Sequence, residues 1–149
     1  MLISAPALAR VGLAIGLGIV CGSLTRAAVL QQTRTTWSGI YTDAQAKRGQ
    51  AAYDELCASC HLADLTGADQ APGLVGPDFN AQWNDRSINE LFERTRTSMP
   101  ADKPGTMRPD LVADVLAFIL NKGGFPVGEA DLPSQADALR DLKFLAARP

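Results

Sequence analysis

The chain has 149 residues, of which 46% are apolar and 20% are charged, which suffices for one domain with a hydrophobic core but not for two. It carries 14 Lys and Arg against 16 Asp and Glu, a formal net charge of −2. This balance argues against nucleic-acid binding, which relies on an excess of basic side chains.

Residues 1–27 have the pattern of a signal peptide. Arg10 precedes an uncharged, mainly apolar run at 11–24, and small residues follow around Ala27. As a helix these 14 residues would be about 21 Å long, short of the roughly 30 Å of a bilayer's hydrocarbon core. We therefore predict cleavage near Ala27 and secretion to the periplasm, which removes two arginines and leaves 12 basic against 16 acidic residues, a net charge of −4.

Two alternatives remain for this segment, and either would hold the protein at a membrane. Cys21 could be a lipid-attachment cysteine, but such signals normally carry a small residue in the preceding position, where Val20 stands. We favour its removal with the signal, as a small apolar residue. The other alternative is an uncleaved segment that serves as an anchor.

The rest of the chain is predicted to form an arm, a domain and a tail. Residues 28–41 show no periodicity and predict an extended N-terminal arm, with Trp37 and Tyr41 holding it to the surface of the domain. The domain is predicted over 42–124. The tail over 125–149 is predicted to include a short helix that packs back on the domain.

The domain is predicted to begin with a helix. Thr42 and Gln45 have the spacing of a capping box, in which each side chain bonds the other residue's backbone N–H, and the helix that they open delivers Cys57. Residues 62–84 are rich in glycine and proline and show no alternating pattern, so they predict a long ordered loop. A loop of this length usually surrounds something.

Three further helices are predicted after this loop. Ser87 and Glu90 form a second capping box and open a short helix that ends before Met99. An apolar stripe predicts a helix over 108–122, and a last helix is predicted over 134–146. The apolar side chains that would pack this last helix on the domain are Leu139, Leu142 and Leu145.

The chain's only histidine belongs to the sequence Cys57-Ala-Ser-Cys60-His61, a C-x-x-C-H motif that attaches c-type haem. Thiols three positions apart lie on one helical turn, so each can form a thioether with one porphyrin vinyl group while the adjacent imidazole reaches the iron. The alternatives are a structural disulfide beside a surface histidine and a thioredoxin-like redox pair. The second requires a βαβ setting that the sequence lacks, and neither explains the histidine.

The second axial ligand of the iron has few candidates, because the chain has no second histidine. With Met1 removed in the signal, a thioether ligand would be Met99 or Met107. We favour Met99, since Pro100 keeps its backbone from continuing a helix and can present the sulfur to a cavity. Met107 begins a helix and is explained there as an apolar residue. An open or non-methionine site is the third alternative.

Between about residues 43 and 124 the chain resembles the class I cytochromes c, small secreted bacterial electron carriers with a single haem. Gly49 and Tyr53 match a glycine and an aromatic residue of that family's first helix. Val115 and Phe118 on the last helix would meet them in a near-perpendicular crossing. The resemblance implies an all-α fold of about four helices, with ordered loops wrapped round one covalently attached haem c.

Further positions take roles from the same resemblance. The segment 72–76 is similar to a loop in which the carbonyl of Pro72 accepts the histidine's Nδ1–H and Leu74 packs on the porphyrin. Trp83 matches a tryptophan whose indole N–H bonds a haem propionate. As alternatives, Pro72 is an ordinary turn proline and Trp83 a core residue. Leu91 departs from the family, because many relatives carry a tyrosine there, near the methionine ligand.

The resemblance implies a one-electron carrier rather than an enzyme, working between a dehydrogenase or respiratory complex and an acceptor. The expected partner, a periplasmic quinoprotein dehydrogenase or a respiratory oxidase, would dock at the haem edge near Cys57 and Ala58. Basic side chains could ring that edge, although scattered solvation is the preferred interpretation: Lys47, Arg48, Arg94, Arg96 and Lys103. The alternative function is a haem peroxidase or gas-binding sensor with an open sixth site.

Overall fold

The computed structural model describes residues 33–69 and 71–149. The helices of this part are α1 (Asp43–Leu56), α2 (Ala58–His61), α3 (Pro77–Trp83), α4 (Ile88–Ser98), α5 (Pro109–Lys122) and α6 (Ala136–Leu139). Strand pairing among the described residues is limited to isolated bridges, so the predicted all-α fold is confirmed. The predicted signal peptide, with Cys21, lies outside the described residues. No helix within them has the length and apolar character needed to cross a membrane.

α1 is capped by Thr42, whose hydroxyl accepts the backbone N–H of Gln45 at 3.0 Å. The predicted capping box is wrong in its second half, because the Gln45 amide binds the backbone of Leu132 instead. It donates from Nε2 to the Leu132 carbonyl at 3.0 Å and accepts the Leu132 N–H at Oε1 at 2.6 Å. Gln45 is buried, where unpaired polar atoms are costly, and its two bonds fix the segment after α5 to the start of α1.

α1 and α5 approach each other closely at Gly49. A Cβ at this position would lie 1.8 Å from the carbonyl oxygen of Asp114, so only glycine permits the contact. One turn further on, the rings of Tyr53 and Phe118 pack with their centroids 5.2 Å apart. α5 is buried along most of its length and forms the centre of the core.

The prediction of a loop throughout 62–84 is wrong at its end, where α3 lies. Pro77 occupies the first helical position, where a backbone N–H would have no acceptor within the helix, so proline's lack of an N–H costs nothing there. Asp78 in the first turn complements the positive end of the helix dipole. Phe79 and Trp83, four residues apart, are both buried. Seven residues are too few for a helical period to be recognised among glycines and prolines.

The predictions of α4 and α5 are confirmed. Ser87 Oγ accepts the N–H of Glu90 and Glu90 Oε1 accepts the N–H of Ser87, both at 3.2 Å, so the second capping box is complete. α4 ends one residue before Met99, as predicted.

The arm is not extended throughout and does not remain at the surface. It makes a 3₁₀ turn at Thr36–Ser38, where the buried Thr36 hydroxyl donates to the carbonyl of Leu145 at 3.0 Å and accepts its N–H at 3.1 Å. Tyr41 is fully buried, its hydroxyl donates to the carbonyl of Phe125 at 2.6 Å, and burial raises its pKa. The arm therefore contributes to the core.

The helix predicted over 134–146 is wrong in extent, because α6 is a single turn. After a turn at 140–141, Lys143 forms isolated bridges to Thr35 and Ser87 and is exposed between the buried Leu142 and Phe144. This is the two-residue period of a strand. The Phe144 N–H donates to the carbonyl of Arg86 at 2.8 Å, so contacts distant in sequence decide the conformation.

Candidate haem-attachment site

The C-x-x-C-H motif lies at the junction of α1 and α2. The backbone N–H groups of Cys60 and His61 donate to the carbonyl of Cys57 at 3.1 and 3.0 Å, which places the three side chains on one turn. The two cysteines form no disulfide. Cys57 packs against the core, and burial raises the pKa of its thiol to about 11, whereas Cys60 is exposed. Both sulfurs are therefore free for the thioether bonds that the motif predicts.

His61 is buried, with 7% of its surface exposed, and its Nδ1 lies 2.8 Å from the carbonyl oxygen of Pro72. A carbonyl only accepts hydrogen bonds, so the neutral imidazole must carry its proton on Nδ1. The lone pair of Nε2 then remains available for a metal ion. This is the arrangement in which a protein fixes the tautomer and orientation of a ligating histidine.

The loop that carries Pro72 folds back on the motif. The Gly67 N–H donates to the carbonyl of His61 at 3.1 Å, and the Leu74 N–H donates to the carbonyl of Leu65 at 2.8 Å. A side chain at Gly67, whose φ is +79°, would meet backbone atoms at 2.4 Å. Leu74 is half-buried against the core. The loop thus holds the Pro72 carbonyl at a fixed place beside His61.

Sequence reasoning missed the residue that follows the histidine. Leu62 has φ 62° and ψ 158°, a conformation that is nearly restricted to glycine and costs about 1–3 kcal/mol in other residues. The hydroxyl of Tyr53 donates to the Leu62 carbonyl at 2.7 Å and so helps to hold this turn. Burial raises the pKa of Tyr53 to about 12, so the hydroxyl keeps its proton. A positive φ at leucine leaves no signal in the sequence.

The two candidate sulfur ligands differ in their surroundings. Met99 follows the last residue of α4, where its N–H donates to the carbonyl of Thr95 at 3.0 Å, and its side chain is half-buried at the edge of the core. Met107 is buried within the core, just before α5. Only Met99 therefore combines a loop position with a side chain at the margin of the packed interior.

Trp83 is buried at the end of α3. Its ring lies 6.2 Å from that of Phe79, and the guanidinium carbon of Arg86 lies 4.7 Å from its centroid. Arg86 in turn pairs with Glu90 of α4 at 2.8 Å. Trp83 thus contributes to the core, whichever of its two predicted roles applies.

Three of the five basic residues proposed for the haem edge are engaged in ion pairs. Lys47 pairs with Asp43 at 2.7 Å, and Arg96 pairs with Glu93 at 2.7 Å. Arg48 pairs with two carboxylates, that of Asp114 at 3.0 Å and that of Asp131 at 2.7 Å. These pairs agree with the preferred interpretation of scattered surface charges rather than a ring.

Comparison with known proteins gives one curated relative and one family match. One curated relative, the fructose dehydrogenase cytochrome subunit of Gluconobacter japonicus, is 30% identical over 105 residues, which are 64% of this chain and 22% of the relative. The chain thus spans only about a fifth of that relative's length. No solved structure matches the chain significantly.

The second finding covers the helical domain. The family model described as "Cytochrome C oxidase, cbb3-type, subunit III" matches residues 44–119, just over half of the chain, from the first turn of α1 to α5. The match confirms the resemblance that the motif and the helix pattern indicated. The chain therefore belongs to the cytochrome c family, whose members carry covalently bound haem and act as electron carriers rather than enzymes.

Proposed function

We propose that the chain binds one haem c through thioethers at Cys57 and Cys60, with His61 and Met99 as the axial ligands. In this role it would carry single electrons in the periplasm between a dehydrogenase or respiratory complex and an acceptor. The observation that carries the proposal is the 2.8 Å contact between His61 Nδ1 and the Pro72 carbonyl, made by a histidine on the same turn as two unpaired cysteines.

The donor set fits the group. Two free thiols and a histidine whose Nδ1 is already occupied by the Pro72 carbonyl are what a covalently attached, histidine-ligated haem requires, and a redox dithiol needs no such histidine. Haem c supplies, when bound, an iron that alternates between the ferric and ferrous states. Cys57 and Cys60 would fix the porphyrin at the end of α1, and the hydrogen bond to Pro72 would stop the imidazole from turning.

The assignment of the sixth ligand of the iron rests on the different surroundings of the two methionines. Met107 is already accounted for as a core residue before α5, whereas the half-buried Met99 stands between two helices and is followed by Pro100. A methionine sulfur favours ferrous iron relative to a second imidazole. Leu74 and Trp83 would complete the site, with Leu74 against the porphyrin and the Trp83 indole N–H on a propionate.

A dehydrogenase is the partner best supported, because the relative is named as the cytochrome subunit of one. The predicted signal peptide supports a periplasmic location for the encounter. Our specific proposals are a quinoprotein dehydrogenase as the electron donor and a respiratory oxidase as the electron acceptor.

The test is expression with a haem-attachment system, followed by mass and spectra. The purified chain should gain the mass of one haem, and Cys57→Ala or Cys60→Ala should leave at most one thioether, visible as a shifted α-band of the reduced protein. A colourless chain with the mass of the bare polypeptide would overturn the proposal.

The axial ligands are tested by a matched pair of variants. Met99→Leu should abolish the far-red band of sulfur-ligated ferric haem and lower the reduction potential, while Met107→Leu should leave both unchanged. The reverse result would transfer the ligand to Met107. A high-spin ferric spectrum of the parent protein that changes on adding cyanide would instead support the peroxidase or sensor alternative.

A further inference from the structure

A groove of about 450 Å³ lies on the surface where the arm meets the segment after α5 and the chain's C-terminus. We call it the seam groove. Its lining comes from the arm, from 126–130 and from Arg148, all of which lie outside the family-matched residues 44–119. It therefore lies outside the part of the chain that the family model matches.

The floor of the seam groove is built from two backbones in direct contact. A Cβ on Gly39 would lie 2.8 Å from the carbonyl oxygen of Val127, and a Cβ on Gly128 would lie 1.9 Å from the carbonyl oxygen of Gly39. The Gly128 N–H donates to the carbonyl of Tyr41 at 2.7 Å. These contacts fix the two segments relative to each other, so the groove is preformed.

One wall of the groove is apolar. The half-buried ring of Trp37 is held by its indole N–H, which donates to the carbonyl of Leu145 at 2.9 Å, and by an edge contact with Phe125. Val127, beside it, is 50% exposed and is one of two large hydrophobic side chains that the described residues leave exposed. Apolar groups fixed in an open groove can contact a ligand without first becoming ordered.

The charge of the groove is opposite to that of the chain. Arg34 and Arg148 line it against a single carboxylate, Glu129, while residues 28–149 carry 12 basic and 16 acidic side chains. The ion pairs of the described residues use other cations: Lys47, Arg48, Arg86, Arg96, Arg108 and Arg140. The guanidinium of Arg148 lies 6.0 Å from the Trp37 ring centroid, next to the apolar wall.

We propose that the seam groove is a docking site for an acidic, partly apolar peptide segment of a protein partner. Carboxylates of the segment pair with Arg34 and Arg148, and an adjacent apolar side chain contacts Trp37 and Val127. The concave shape and Glu129 on the same surface favour a peptide over the flat anionic surface of a lipid bilayer. The site does not depend on the haem ligands.

The test uses the haem-loaded, reduced protein labelled with ¹⁵N. An amidated decapeptide of alternating glutamate and leucine should shift the amide signals of Val127 and Gly128 and the indole signal of Trp37. A peptide with glutamine in place of glutamate should bind about tenfold more weakly, as expected for the loss of a few exposed ion pairs.

Charge reversal locates the site. Arg34→Glu combined with Arg148→Glu should weaken the acidic peptide's binding by at least about tenfold, and Val127→Ser should weaken it separately. The matched control, Arg94→Glu with Lys103→Glu, reverses two exposed cations elsewhere and should leave the affinity unchanged. All variants should keep the parent haem spectrum, which shows that they fold.

Four results would overturn the proposal. These are no binding of the acidic peptide, shifts at residues away from the groove, equal weakening by the control variant, and binding to phosphatidylglycerol vesicles without binding to the peptide. The last result would assign the groove to an anionic lipid surface.

Discussion

The helical domain and the arm–tail seam, where 33–41 meet 125–149, are stabilised in different ways. α1 and α5 pack through side chains around a single close approach at Gly49, and the ion pair between Arg48 and Asp114 links the two helices. The seam is joined mainly by hydrogen bonds between backbones distant in sequence, together with those of the buried Thr36 hydroxyl. Both regions supply the core, so a segment outside the family-matched range can be as important for stability as the domain itself.

The strongest test of this comparison is Phe144→Ala in the tail. The Phe144 ring is fully buried and packs on Phe79 and Phe125, with centroid distances of 5.9 and 5.2 Å. Its loss should lower the free energy of unfolding by about 3–5 kcal/mol, measured by denaturant titration of the haem-loaded protein. The half-buried Leu145→Ala should cost less. A change below about 1 kcal/mol for Phe144→Ala would show that the tail is only a cover.

Gly49→Ala tests the other region. The added methyl group would lie 1.8 Å from the Asp114 carbonyl, so α1 and α5 must move apart, at a cost of about 1–3 kcal/mol in unfolding free energy. Gln50→Ala, an exposed neighbour on α1, is the control and should change little. An unchanged stability of Gly49→Ala would contradict the close crossing.

Ser87→Ala removes the cap of α4, at the boundary between the two regions. The N–H of Glu90 would lose its acceptor, and the free energy of unfolding should fall by about 1 kcal/mol. Ser87→Asp, which can accept the same bond, should restore most of the loss. Equal losses in the two variants would assign the effect to something other than the cap.

Asp131 gives a smaller, pH-dependent effect where the tail meets the start of α1. Its carboxylate accepts the Thr42 hydroxyl and pairs with Arg48, and these contacts lower its pKa. A pKa that is lower in the folded protein contributes stability above the unfolded value of about 3.9, and this contribution is lost as pH falls through the folded pKa. At pH 7 the free energy of unfolding of Asp131→Asn should therefore be lower than that of the parent by less than about 1 kcal/mol, because the ion pair is exposed. At pH 2 the two proteins should have the same free energy of unfolding. A difference that persists at pH 2 would show a cause other than charge.

The sequence predicted the parts of the molecule that depend on local signals. Caps mark α1 and α4, an apolar stripe marks α5, and the spacing of Cys57, Cys60 and His61 marks the site. The tail could not be predicted in the same way, because Leu139, Leu142 and Leu145 have the spacing of a helical face. The bonds that hold this segment in another conformation go to residues far along the chain.

The turn at Leu62 and the short α3 escaped prediction for related reasons. The backbone of Leu62 is held in its unusual conformation by a hydroxyl from α1, and α3 is too short to show a period. Sequence spacing thus selected the cysteines and the histidine of the proposed site, but not the surroundings that hold them.

The contact between Gly39 and Gly128 should couple the evolutionary variation of two positions that are distant in sequence. Because each backbone occupies the space where the other's side chain would be, neither glycine can be replaced while the other segment stays in place. In related sequences, we expect glycine at both positions or at neither. Sequences that keep both glycines should also have this seam.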